Sequence, residues 1–149
     1  MKKFRYRLEP VLKVKAHVEK QRQKEHAVAL QQVYLQKEKL ASISSEREQT
    51  CEQQRQRLTG PLRPHQLLAA SRYLVKLKRD TITGSELLRG LEREAEVRRM
   101  RLVEATKQKK IHEKLKDRLQ HRFISEFEDK EKKELDEIAV SGYSFRKRL

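Results

Sequence analysis

Apolar residues in this chain are sparse and come in narrow stripes. Val11, Val14 and Val18 are spaced by three and four residues, and Val28 and Leu35 extend the series. The stripe then shifts to Val33, Leu40 and Ile43. A second series runs through Leu88, Leu91, Ala95, Leu102 and Ala105, slips, and resumes at Ile111, Leu115 and Leu119. Alternating steps of three and four put side chains on one face of a helix. The pattern therefore predicts two amphipathic helices, each with a stutter that locally unwinds a supercoil. Polar residues within the series, such as Gln21, Glu25 and Arg98, predict a weak seam.

Breakers set the expected boundaries. From Pro10 to Leu58 there is no glycine and no further proline, so a first segment of residues 1–58 ends in a long helix. The stretch TGPLRPHQ concentrates Gly60, Pro61 and Pro64, and TITGSE places Gly84 beside Ser85. Together they delimit a tip region, residues 59–85, in which HQLLAASRYLVKLKR predicts a short helix with Leu67, Leu68, Tyr73, Leu74 and Leu77. A C-terminal helix with a basic tail fills residues 86–149, interrupted only by Gly90 as far as Ala139. Pro10 suits a first helical turn, Ser85 suits an N-cap and Gly142 suits a C-terminal stop. The predicted fold is all-α: a single elongated domain, residues 1–149, forming a long antiparallel two-helix coiled-coil hairpin with a short helix at the tip. The alternatives are two separate helices in a larger assembly, or an intermolecular coiled coil. The tip helix either covers the turn or offers a docking surface.

Composition supports exposed helices over a compact core. Of the 149 residues 40% are charged and 5% aromatic, with no tryptophan. The net charge of +15 predicts acidic partners of some kind. It is unevenly spread. Ten basic residues between Arg98 and Arg122 face three acids, whereas EFEDKEKKELDE carries seven acids and three lysines. Arg146, Lys147 and Arg148 return to basic, so a hairpin with matched arms would bring them beside Lys2, Lys3, Arg5 and Arg7. The single cysteine, Cys51, excludes an internal disulfide. That fits a reducing compartment, and with no apolar run of spanning length the chain is expected to be cytoplasmic.

No catalytic constellation emerges. Four scattered glycines do not build a phosphate loop. His17, His26, His65, His112 and His121 show no i, i+4 metal-binding pair, and Cys51 has no acid–base pair beside it in sequence. No enzyme activity, cofactor, metal or small-molecule ligand is expected. The basic stretch is compatible with phosphate binding, but no reader motif or stacking aromatic accompanies it, so nucleic acid is not the expected partner.

The ends carry a resemblance. FRYRLEPVLKVKAHVEKQRQ resembles the start of the FliJ family of flagellar type III export proteins, and EDKEKKELDEIAV resembles that family's closing charged helix, with Lys132, Lys133, Asp136 and Glu137 in place. Injectisome stalk proteins share the pattern. The resemblance implies a coiled coil similar to the gamma-subunit stalk of rotary ATPases. It implies insertion into the ring of the export ATPase FliI, promotion of its assembly and activity, and a link to the export gate protein FlhA. It also implies escort of export chaperones and a peripheral position at the inner-membrane export apparatus of the flagellar base. By analogy with the rotary stalk, the end bearing both termini enters the ring. The candidate ring-docking residues are therefore Phe4, Arg5, Tyr6, Arg7, Leu8, Val11, Tyr143, Phe145, Arg146 and Arg148; the aromatics among them either dock or seal the helix end. The candidate gate-docking residues are Tyr73, Leu74 and Leu77. The competing reading is a basic coiled-coil protein that binds nucleic acid or serves as a scaffold.

Overall fold

The computed structural model describes residues 4–61 and 63–146, with side chains as far as residue 143. Two helices account for nearly all of it: α1 (Glu9–Arg57) and α2 (Pro64–Arg146). Among the described residues there is no strand. Glu9 lies in the first turn of α1, where its charge complements the positive end of the helix. The amides of Leu58, Thr59 and Gly60 close on the carbonyls of Gln54, Gln56 and Arg57 and end the helix. Pro64 then opens α2, at the position where a missing N–H costs nothing.

The chain divides into two compact units. In the first (Met1–Glu19 and Glu104–Leu149), paired residues fall in opposite order along the two helices. Phe4 lies by Phe123, Glu9 by Lys116, Lys15 by Gln108 and Glu19 by Thr106. In the second (Lys20–Val103), the pairs Glu25–Arg98, Lys37–Glu92 and Glu46–Tyr73 show the same order. The helices are therefore antiparallel within each unit.

The expected stutters are absent. Inward-facing positions of α1 run 12, 15, 19, 22, 26, 29, 33, 36, 40 and 43, strictly alternating three and four. Those of α2 run 84, 88, 91, 95, 98, 102, 105, 109, 112, 116, 119 and 123 with the same alternation. The phase of Val33, Leu40 and Ile43 thus holds far along α1. Val11, Val14, Val28 and Leu35 face solvent, as does Ile111. The valine series misleads because the true seam carries Lys15, Glu19, Arg22 and Gln36, whose long stems pack while their polar ends find partners.

Four further expectations are corrected. The separate tip helix is replaced by one continuous α2. Thr83 and Ser85 do not break it because their hydroxyls donate to the carbonyls of Arg79 (3.1 Å) and Ile82 (2.7 Å) within the helix. Ser85 is therefore no N-cap. Gly142 lies inside α2 rather than beyond it. The head and tail of the chain are not side by side: Phe4 meets Phe123, and α2 continues for 23 residues past that point to Arg146.

Gly84 has a packing role. A Cβ there would lie 2.8 Å from Cδ2 of Leu40 and 3.2 Å from Nε2 of Gln36. The missing side chain lets α1 approach so closely that Gln36, buried itself, donates to the Gly84 carbonyl at 3.1 Å. Nearby, Ala29, Val33 and Ala95 form the buried cluster, with Leu88 and Leu91 against it. Leu77, 3% exposed, fills the seam nearer the turn.

Candidate docking surfaces

Unit one closes through polar contacts. Glu19 is nearly buried; its carboxylate accepts from Lys109 Nζ at 2.9 Å and Thr106 Oγ1 at 3.0 Å. The Lys109 hydrogen bond holds the Glu19 carboxyl below its ordinary value, and the same bond raises Lys109. Lys15 donates to Gln108 at 2.6 Å, and Glu9 pairs with Lys116 at 2.8 Å. Tyr6 is buried, its hydroxyl donating to the His112 carbonyl at 3.4 Å, and Nδ1 of His112 is buried without a partner among the described residues. The Phe4 and Phe123 rings lie 5.7 Å apart at 51°.

The ring-docking candidates therefore separate. Phe4 and Tyr6 seal the end of the two-helix seam. Arg5 and Arg7 are exposed, and with Phe4, Pro10 and Lys13 they line an open cleft. Neither they nor Lys13 makes an ion pair among the described residues. Leu8 and Val11 are exposed. Tyr143 is exposed too, but it sits twenty residues beyond Phe123, about 30 Å along the helix. It does not join the cleft. The Phe145 and Arg146 side chains and all of Arg148 lie outside the described residues.

The C-terminal part of α2 carries a further surface. Every described side chain from 124 to 143 is exposed. Ile124, Phe127, Leu135 and Ile138 fall within about 80° of one another around the helix and form an exposed apolar stripe. Its flanks hold seven carboxylates and three lysines from Glu126 to Glu137, a net of −4 (3 minus 7). Acids four residues ahead of lysines (Glu126 and Lys130, Glu128 and Lys132, Asp129 and Lys133) favour helix without a partner. The i, i+3 spacing of Ile124 and Phe127 was the available signal, obscured by the charges around it.

The gate-docking candidates separate as well. Leu77 is core and Leu74 is half-buried. Tyr73 is 39% exposed and donates to Glu46 at 2.8 Å, which raises its phenol above the ordinary value. Among the described residues no group of three or more His, Cys, Asp or Glu is placed to hold a metal ion, and no helix is long and apolar enough to cross a membrane.

Heptad-spaced pairing of two long helices defines an all-helical protein of the coiled-coil kind. More particularly, the chain belongs to the FliJ family: the sequence model described as Flagellar FliJ protein matches residues 4–148. This is a non-catalytic, flagellar export-associated family. No curated protein and no solved structure matches the chain.

Proposed function

We propose that this chain is the central stalk and coupling protein of the flagellar type III export apparatus, a non-enzymatic component that inserts into the FliI ATPase ring and links it to the FlhA gate. The observation that carries the reading is the exposed apolar stripe of Ile124, Phe127, Leu135 and Ile138 on α2. A single helix is slim enough to enter a ring pore, and its apolar stripe offers what the ring must grip. The cationic cleft of Arg5, Arg7 and Lys13 supplies a second contact, suited to acidic loops. Mechanical coupling follows: nucleotide-driven changes in the ring act on the inserted helix.

The gate contact belongs to the turn-proximal part of unit two. There Tyr73 is the accessible member of the candidate set, while Leu74 and Leu77 hold the helix beneath it. Escort of export chaperones and a cytoplasmic, peripheral inner-membrane location complete the proposal; both rest on the family resemblance.

The test is stimulation of ATP hydrolysis on mixing the purified chain with FliI. Leu135→Ser with Ile138→Ser is expected to lower stimulation about tenfold while helicity and unfolding midpoint stay unchanged, since neither side chain is packed. Charge reversal of Arg5 and Arg7 is expected to weaken the complex mainly at low salt. Wild-type stimulation by both variants would remove the assignment.

A further inference from the structure

Unit two carries a surface that its packing does not use. From Gln53 to Arg79 the sequence has seven cations (Arg55, Arg57, Arg63, Arg72, Lys76, Lys78, Arg79) and no carboxylate. In a chain with 22 acids, a gap of that length stands out. These residues form the end of α1, the turn and the start of α2. Among the described residues only Arg55 of the seven is ion-paired, with Glu52 at 3.6 Å.

The outer face of α2 here has a regular composition. Leu68, Arg72, Val75, Arg79 and Ile82 are all exposed and fall within about 80° of one another, on the side away from buried Leu77. Leu68, Val75 and Ile82 recur every seven residues, and Arg72 and Arg79 interleave at the same interval. Lys76 and Lys78 flank them, and a shallow groove between Arg72 and Arg79 is lined by Ser71, Val75, Lys76 and Asp80. Asp80 is half-buried at the groove's edge.

This pattern discriminates among occupants. A second copy would bring like charges together. A partner groove takes apolar anchors three and four residues apart, whereas these aliphatics stand about 10 Å apart with an arginine between each pair. Single-stranded nucleic acid asks for stacking aromatics, and this face has none. Isolated aliphatic side chains ringed by cations suit a plane of phosphates over a hydrocarbon layer.

We propose that this face lies on an anionic bilayer surface, Arg72, Arg79, Lys76 and Lys78 meeting lipid phosphates and Leu68, Val75 and Ile82 dipping between headgroups. The inference deepens the peripheral membrane location proposed above by naming a direct lipid contact. Its test uses no export component, so its failure leaves the ATPase result untouched and the reverse holds too.

The experiment is co-sedimentation of the full chain with phosphatidylcholine vesicles, with and without about a quarter phosphatidylglycerol, at about 0.1 M salt. Binding is expected only with the anionic lipid. Arg72→Glu with Arg79→Glu is expected to weaken it at least about tenfold at unchanged helicity. Leu68→Ser, Val75→Ser and Ile82→Ser together are expected to make the remaining binding far more salt-sensitive. Reversing two cations elsewhere, Lys107→Glu with Arg118→Glu, is expected to leave binding within about twofold. No binding, equal binding to neutral vesicles, or an equal loss in the Lys107/Arg118 variant overturns the proposal. So does tighter binding to a duplex oligonucleotide that the Arg72/Arg79 variant also loses, an outcome that points to nucleic acid.

Discussion

The two units apply one heptad rule with opposite chemistry. Unit two is closed by small and apolar groups: Ala29, Val33, Ala95, Leu77 and the bare backbone of Gly84. Unit one is closed by Lys15, Glu19, Lys109 and Lys116, with Ala105 and Tyr6 its buried apolar residues. Apolar contact is strong but indifferent to small slips, whereas a carboxylate between a lysine and a threonine accepts one register only. Unit two is therefore expected to hold most of the stability, and unit one to respond to salt and pH.

The strongest blow to unit two is Leu77→Ala, expected to cost about 3 kcal/mol in chemical unfolding, because the side chain is enclosed and its loss leaves a void. Gly84→Leu comes next, at about 2 kcal/mol, since its side chain collides with Leu40. Leu40→Ala in the same chain is expected to recover part of that loss, and additive effects would show that the two do not share space. In unit one, Glu19→Gln is expected to cost about 1 kcal/mol at neutral pH. Glu19 titrates below its ordinary value of 4.5 in the folded chain, so its contribution is present above that pH and lost as the pH falls through the lower folded value. A stability profile of the variant should be flatter than wild type in that acid range; parallel profiles would exclude Glu19. The smallest effect is local. In about 1 M salt, amide exchange at residues 104–123 should quicken while residues 84–98 stay protected. Uniform protection would erase the contrast between the units.

Paired spin labels sharpen the register of unit one without perturbing it. Labels at 12 and 113 are expected within about 15 Å, and labels at 12 and 135 about 30 Å apart.

Much of this was legible in the sequence. Helix content, two arms and a turn at Gly60–Pro64 follow from spacing and breakers, because each is a local property. The seam phase was not, since Glu19, Gln36 and Lys109 are inward only by virtue of partners far along the chain. Gly84 was misread for the same reason: a helix breaker in isolation becomes a point of close approach once Leu40 lies over it. Of the docking candidates, Arg5 and Arg7 are exposed, whereas Tyr6 and Leu77 are buried. Aromatic or aliphatic character does not say which side of a helix faces a neighbour.

Gly84 and Leu40 also make a size-exchange pair, and that gives a way to align relatives whose charged helices slide past one another with little penalty. A chain with a bulkier residue at the first position should carry a smaller one at the second. Where that trade is kept, the register is fixed at one point, and the rest of each helix can be counted from it in sevens.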